Sequence, residues 1–298
     1  MRALVTGARG FVGSWLTAHL AESGDEVVAI DHEVEITDGD AVRGAMVAAA
    51  PDVVYHLAAL TNVGRSWTDP NEVLQVNATG TLYVLEAARS CPHPPRVLLT
   101  SSAEVYGAVP QDLLPVTEDA PLAPVTPYAA SKVAAEYLGV QAHLAYGLPV
   151  IRMRPFNHVG PGQSSAFVVS ALAQRIVEAR RNGADSIVVG NLAARRDLTD
   201  VRDVVRAYRL LAERGVAGEV YNVCSGRDIA IADVALQLQS LAGVDLQFEL
   251  NPDLNRPVDV PVVRGDFTKL HEATGWEPSL SLERTLLDVL EQWSERAA

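Results

Sequence analysis

Five short runs rich in valine, leucine and isoleucine, at residues 2–6, 26–30, 53–57, 96–100 and 149–153, alternate with longer segments of helical spacing at 11–23, 38–49, 69–90 and 126–146. Near-continuous apolar runs of this length suit strands buried on both faces, the state of parallel strands covered by helices. Strands and helices that alternate through right-handed crossovers predict a doubly wound parallel α/β sheet. After residue 155 the rhythm breaks in the loop FNHVGPGQ. A helix at about 165–181, a strand at 186–189, a helix at 200–214, a strand at 218–223, a helix at 230–242 and a closing amphipathic helix at 281–295 are expected beyond it. These later pieces are too small to fold alone, which predicts a smaller C-terminal region interleaved with the first.

Composition narrows the function. Of 298 residues, 48% are apolar and 20% charged, which supports a large core and excludes disorder as the main description. With 24 basic and 37 acidic residues the net charge is −13, and no basic block exceeds Arg180-Arg181 or Arg195-Arg196, so nucleic acid is not an expected partner. No run of uncharged apolar residues is long enough to span a bilayer, and no signal-peptide pattern opens the sequence; a soluble cytoplasmic protein without a membrane partner is expected. Cys91 and Cys224 lack metal-ligand neighbours and are read as reduced thiols, and no metal site is expected.

The first strand runs into Gly7-Ala8-Arg9-Gly10-Phe11-Val12-Gly13, a GxxGxxG pattern that opens a helix. Glycines there permit a tight turn and close approach of the backbone to a pyrophosphate, and the helix N-terminus favours an anion. Asp31 ends the second strand, where a carboxylate accepts hydrogen bonds from both hydroxyls of an adenosine ribose. That carboxylate repels a 2′-phosphate, so NAD(H) is favoured; Arg9 within reach keeps NADP(H) open. Asp38 has two readings, a contact to the adenine amino group or an ordinary helix N-cap.

Tyr128 and Lys132 stand four apart near the start of the 126–146 helix, on one face. Only two of the basic residues are lysines, Lys132 and Lys269, and a compact ammonium that holds a ribose while tuning a phenol does what arginine does poorly. Ser102 and Glu104 follow the fourth strand, whose C-terminal end faces the cleft of a parallel sheet. Ser102 can donate to a substrate oxygen, and Glu104 is a candidate acid or base; turn hydrogen bonds are the bland alternative for each.

Together GxxGxxG at 7–13, HLAA at 56–59, Asn77 in QVNATGT, Ser102 and the Tyr128/Lys132 pair resemble the extended short-chain dehydrogenase/reductase superfamily over the whole chain. The resemblance implies a Rossmann domain carrying NAD(P), at residues 1–155 plus about 197–223, and a nucleotide-sugar-binding region at 156–196 and 224–298. It implies that Tyr128 is the acid/base, that Lys132 lowers its pKa and holds the nicotinamide ribose, and that Ser102 polarises the carbonyl. It also puts Leu57, Ala58, Ala59, Asn77 and Pro155 with the cofactor-binding residues, and Thr61 with those for substrate.

The segments RPFNHVGPGQ, VGNLAARRDLTDVRD, VYNVCSG and LNRP are similar to those of GDP-6-deoxy-D-mannose reductases, which reduce GDP-4-keto-6-deoxymannose to GDP-rhamnose. This implies a nucleotide-diphosphate sugar as partner, GDP favoured, with Asn157 and His158 near the diphosphate and Arg196 and Arg256 clamping its phosphates; solvated surface charge is the alternative for the two arginines. The family also implies a homodimer built on the helices at 69–90 and 126–146. A nucleotide-sugar 4-epimerase is the main rival. A 4,6-dehydratase is disfavoured by Ala103, where those enzymes carry an acidic or hydroxyl residue, and a non-catalytic NAD-binding regulator would have no need of Ser102, Tyr128 and Lys132 together.

Overall fold

The computed structural model describes residues 1–254, 258 and 260–297. In chain order the first half holds β1 (Arg2–Thr6), α1 (Phe11–Glu22), β2 (Glu26–Ile30), α2 (Gly39–Ala49), β3 (Val53–His56), α3 (Val63–Thr68), α4 (Pro70–Leu74), α5 (Gly80–Arg89), β4 (Arg96–Thr100), α6 (Pro127–Tyr146) and β5 (Val150–Pro155). Beyond it come β6 (Asn157–Val159), α7 (Val168–Asn182), β7 (Ser186–Val189), β8 (Arg195–Asp200), α8 (Val201–Arg214), β9 (Val220–Val223) and β10 (Asp228–Ala230). The chain closes with α9 (Ile231–Ala242), β11 (Gln247–Leu250), β12 (Val262–Val263), α10 (Thr268–Thr274) and α11 (Leu282–Ala297).

Six parallel strands form the main sheet in the order β2-β1-β3-β4-β5-β9. The pleat sends alternate residues to opposite faces, and both faces are buried. Ala3, Val5, Tyr55, Leu98 and Met153 pack with Leu16 of α1 and Tyr208 and Leu211 of α8. Leu4, Val54, Val97, Leu99 and Val150 pack with Met46 of α2 and Leu85 of α5. This two-sided burial is the physical basis of the apolar runs. A second core joins α7, α9 and α11 around Leu172, Ile176, Leu238 and Leu286. There β8 is the hub of a small sheet, flanked by β10 and β12 and also paired with β6, while β11 pairs β7.

The structure adds α3, β8, β10, β11, β12 and α10 to the expected elements and departs from them elsewhere. The helix expected at 69–90 is divided into α4, a turn of π-helix over Gln75–Thr79, and α5. The FNHVGPGQ loop begins with strand β6, which pairs parallel with β8. The return to the main sheet comes after β8 at Asp200, because β8 belongs to the small sheet while α8 and β9 pack in the first. Among the described residues, no helix is long and apolar enough to cross a membrane.

Candidate active site

A cavity of about 640 Å³ runs across the C-terminal ends of β1 to β5, the position at which ligands meet an open parallel sheet. Its walls carry the loop from Gly7 to Gly13 and Asp31, Leu57, Ala58, Ala59, Thr61 and Pro155, and Ser102, Glu104, Tyr128, Lys132, Asn157 and His158. Gly7 has φ +68°, and a Cβ on it would stand 2.9 Å from the Ala58 nitrogen. A Cβ on Gly13 would stand 2.1 Å from the Gly7 carbonyl oxygen, so loop and helix close only on bare backbone. Gly10 is the N-cap of α1 and gives its first N–H groups no side-chain partner, which suits an anion there.

A chain of hydrogen bonds fixes the HLAA segment. Thr6 Oγ1 accepts from the backbone N–H of Leu57 (3.2 Å) and Ala58 (3.1 Å) and lies 2.8 Å from His56 Nδ1. His56 Nε2 lies 3.0 Å from Thr81 Oγ1, whose own proton goes to the Asn77 carbonyl at 2.6 Å. Thr81 therefore accepts from Nε2–H, and Thr6 donates to Nδ1: the imidazole is neutral with its proton on Nε2. Burial, with a smaller contribution from the Lys132 charge, holds its pKa down to about 3.

Helix α6 is placed by Thr126, whose side chain accepts from Ala129 N–H at 3.0 Å, by Pro127 in the first turn, and by Gly147 in the left-handed region at its end. Tyr128 thus falls in the first turn and Lys132 one turn later, 6% and 5% exposed. The Lys132 ammonium donates to the Thr100 carbonyl at 2.9 Å, and burial lowers its pKa to about 8. Burial raises the Tyr128 phenol to about 12, a hydrogen bond with Ser102 pulls it down, and the Glu104 charge pushes it up. Burial is the largest of these influences on the phenol. Ser102 Oγ accepts from Glu104 N–H at 3.2 Å, which leaves the hydroxyl proton for another oxygen.

A family model described as the NAD dependent epimerase/dehydratase family matches residues 3–224. The chain belongs to this family. It is 37% identical over 298 residues to GDP-6-deoxy-D-mannose reductase of Pseudomonas aeruginosa, covering 99% of this chain and 98% of the relative. It is 32% identical to UDP-glucose 4-epimerase of Mycolicibacterium smegmatis, covering 98% of each. Among solved structures, RMD from Pseudomonas aeruginosa complexed with NADPH superposes with a TM-score of 0.92 at 36% identity, covering 99% of this chain and 100% of that one. The glycine cradle, the uncapped helix start and the carboxylate of Asp31 fit the dinucleotide that the epimerase/dehydratase family is named for.

Three expected site residues stand off the cavity wall of this family member. Asp38 is the N-cap of α2, its Oδ1 accepting from Asp40 N–H (3.0 Å) and Ala41 N–H (3.1 Å), the second of its two sequence readings. Asn77 is 1% exposed: its Oδ1 accepts from Leu60 N–H at 2.8 Å, and its Nδ2 donates to the Leu60 carbonyl (3.0 Å) and to Ser131 Oγ (2.9 Å). It positions the wall segment against the first turns of α6 instead of touching the cavity. Arg196 lines a small side pocket with Glu104 and Thr126, and its Nη1 donates to the Val260 carbonyl at 2.7 Å. Arg256 lies outside the described residues.

Sequence reasoning missed part of the apolar lining of the cavity: Phe156, Phe167, Val260 and Val263. These residues sit in loops and a two-residue strand, where no periodicity marks them. Phe11 stacks on His158 with ring centroids 5.9 Å apart, which ties the glycine loop to the segment after β5. The signal available for that contact was the FNHVGPGQ motif itself.

Proposed function

We propose that this chain reduces the 4-keto group of GDP-4-keto-6-deoxy-D-mannose to GDP-D-rhamnose with NADH or NADPH. The observation that carries the reading is one continuous cavity that joins the glycine loop and Asp31 to Ser102, Tyr128 and Lys132, and these to Asn157 and His158. The extent of the similarity to the Pseudomonas aeruginosa reductase supports the choice of sugar nucleotide.

A reduced nicotinamide bound there supplies hydride to the sugar C4. Tyr128 supplies the proton to the oxygen that becomes hydroxyl, and a phenol held near 12 is fully protonated at neutral pH, the form a reduction needs. Ser102 donates its hydroxyl proton in a hydrogen bond to the same oxygen as negative charge develops. Lys132 spends one N–H on Thr100 and keeps two more, for a ribose hydroxyl and for the phenol as it loses its proton. Asn157, His158, Arg196 and Arg256 are assigned to the sugar diphosphate, whose binding orients the reacting carbon. A homodimer built on α4, α5 and α6 completes the proposal: Leu74, Tyr137 and Leu144 stand 47%, 59% and 78% exposed there.

The test is to mix purified protein with NADH or NADPH and GDP-4-keto-6-deoxymannose and follow the loss of reduced-nicotinamide absorbance, with UDP- and dTDP-4-keto sugars alongside. Rapid oxidation with the GDP sugar is expected, and Tyr128→Phe is expected to lose about 100-fold or more in kcat with cofactor affinity retained. Protein that purifies with tightly bound NAD and interconverts sugars without net oxidation would overturn this in favour of a 4-epimerase, the activity named for the Mycolicibacterium smegmatis relative.

A further inference from the structure

Four buried polar side chains, Tyr106, Glu136, Arg154 and Asn222, stand behind the groups assigned to the chemistry, and none of them lines the cavity. They sit on the elements that carry those groups. Tyr106 ends a turn of 3₁₀ helix, Ala103–Tyr106, of which Ser102 is the N-cap. Glu136 lies on α6 one turn beyond Lys132 and two beyond Tyr128, Arg154 is in β5, and Asn222 is in β9. One guanidinium joins them. Arg154 Nε and Nη2 donate to the two Glu136 oxygens at 3.1 and 2.5 Å, while Nη1 donates to the Tyr106 hydroxyl at 2.8 Å and to the Glu118 carbonyl at 3.0 Å. The Tyr106 proton goes to Asn222 Oδ1 at 2.7 Å, so the phenol oxygen is held from both sides, accepting from Arg154 and donating to Asn222. Asn222 Nδ2 is itself fixed by the carbonyls of Val116 (3.0 Å) and Asp266 (3.2 Å).

We propose that Arg154 and Tyr106 are positioning residues that hold the Ser102 hydroxyl against the Tyr128 phenol. Ser102 and Tyr128 belong to different elements, the turn after β4 and the start of α6, so the hydrogen bond between them depends on how that turn is set against that helix. Apolar packing alone would keep α6 on the sheet; a planar fork adds a fixed direction. With one edge of the guanidinium seated on Glu136 of α6, its remaining nitrogen fixes where the Tyr106 hydroxyl stands, and with it the far end of the turn that begins at Ser102. Opening the fork would strand a buried carboxylate, so the arrangement is stiff. The inference rests on the reading that Ser102 and Tyr128 act on one substrate oxygen.

Tyr106→Phe, which keeps the ring and removes the hydroxyl, tests it with two readouts. In protein labelled with carbon-13 at the tyrosine ζ position, the Tyr128 resonance, identified by its loss in Tyr128→Phe, reports the contact with Ser102 without any substrate. It is expected to shift in Ser102→Ala and to shift the same way in Tyr106→Phe. In the NADH-oxidation assay with GDP-4-keto-6-deoxymannose, Ser102→Ala is expected to lose about 100-fold in kcat. Tyr106→Phe is expected to lose about tenfold in kcat with little change in KM. The double variant is expected to fall within about twofold of Ser102→Ala alone, because a residue that acts through Ser102 has nothing to position once that hydroxyl is gone. Arg154→Lys, which keeps the charge without the fork, is expected to reproduce the Tyr106→Phe result. An unmoved Tyr128 resonance or an unchanged kcat in Tyr106→Phe, losses that multiply in the double variant, or an Arg154→Lys protein that matches the parent would each overturn the proposal. A parent that oxidises no NADH would overturn the proposed reaction, and the resonance alone would then decide the positioning: moved in Tyr106→Phe it supports it, unmoved it overturns it.

Discussion

Acid is expected to unfold this protein through one buried imidazole. His56 is 3% exposed at the end of β3, and its neutral form is built into the hydrogen-bond chain. A second proton on Nδ1 would face Thr6 Oγ1, which already accepts from two backbone N–H groups. Its folded-state pKa of about 3 lies below the roughly 6.5 of a free imidazole, so between the two the unfolded chain binds a proton that the folded chain refuses. Stability from this group is complete above pH 6.5 and lost progressively as the pH falls toward 3. At about 1.4 kcal/mol per pH unit the loss is about 2 kcal/mol at pH 5 and about 5 kcal/mol at pH 3, a large share of the 5–15 kcal/mol typical of a folded domain. Urea unfolding of the parent and of His56→Gln at a series of pH values measures it. Glutamine offers one donor and one acceptor without titrating, and other groups, such as Asp197 with its pKa raised to about 6 by burial, contribute equally to both curves. The stability of the parent relative to the variant should decline by about 1.4 kcal/mol per unit below pH 6.5. Parallel curves, or an imidazole seen by NMR to titrate near 6 in the folded protein, would refute the reasoning.

Asn77→Ala should cost about 1–3 kcal/mol in urea unfolding, because it strands the half-buried Leu60 N–H and carbonyl, and it should weaken NAD⁺ binding; unchanged affinity would mean that the wall segment holds its place without Asn77. Arg154→Met should cost about 3 kcal/mol by leaving Glu136 buried with Arg152 alone, at 3.5 Å, and adding Glu136→Leu should recover part of it; no recovery in the double variant would contradict the stranded-charge account. Gly13→Ala should lower Tm and abolish NAD⁺ binding, since the new Cβ would stand 2.1 Å from the Gly7 oxygen, and a variant that binds normally would show that the loop is not closed on bare backbone. Tyr137→Glu should shift the protein to monomers in sedimentation experiments; an unchanged mass would remove α6 from the proposed interface.

The first half of the molecule was legible because it is written in contiguous residues. Strands β1, β3 and β4 are covered on both faces, so their composition alone reveals them, and the glycine loop with Asp31 lies within one strand-helix-strand unit. Asn77 shows the limit of that legibility. Its motif drew attention to the right place, but the π-helical turn at Gln75–Thr79, and the contact of Asn77 with Leu60 and Ser131, depend on packing against α6 that no local spacing encodes.

The second half was hidden for a different reason: its central strand is polar. β8 reads RRDLTD, a stretch with no apolar run to mark a strand, yet Asp197 and Asp200 within it are 0% and 4% exposed. Their burial is compensated by partners distant in sequence. Asp197 accepts from Ser225 N–H at 2.8 Å, Gly226 N–H at 3.0 Å and Gly265 N–H at 3.3 Å, while Asp200 accepts from Thr285 Oγ1 at 2.6 Å and pairs with Arg202. A buried carboxylate is tolerated only where such donors converge, and the donors exist only after β9, β12 and α11 have docked. The same carboxylate that disguises β8 as a loop therefore gathers the turn after β9 and the segment after β12, and the strand it anchors carries Arg196 toward the side pocket. The small sheet around β8 is a product of tertiary hydrogen bonding, whereas the glycine loop is a product of local pattern, and only the second leaves its trace in consecutive residues.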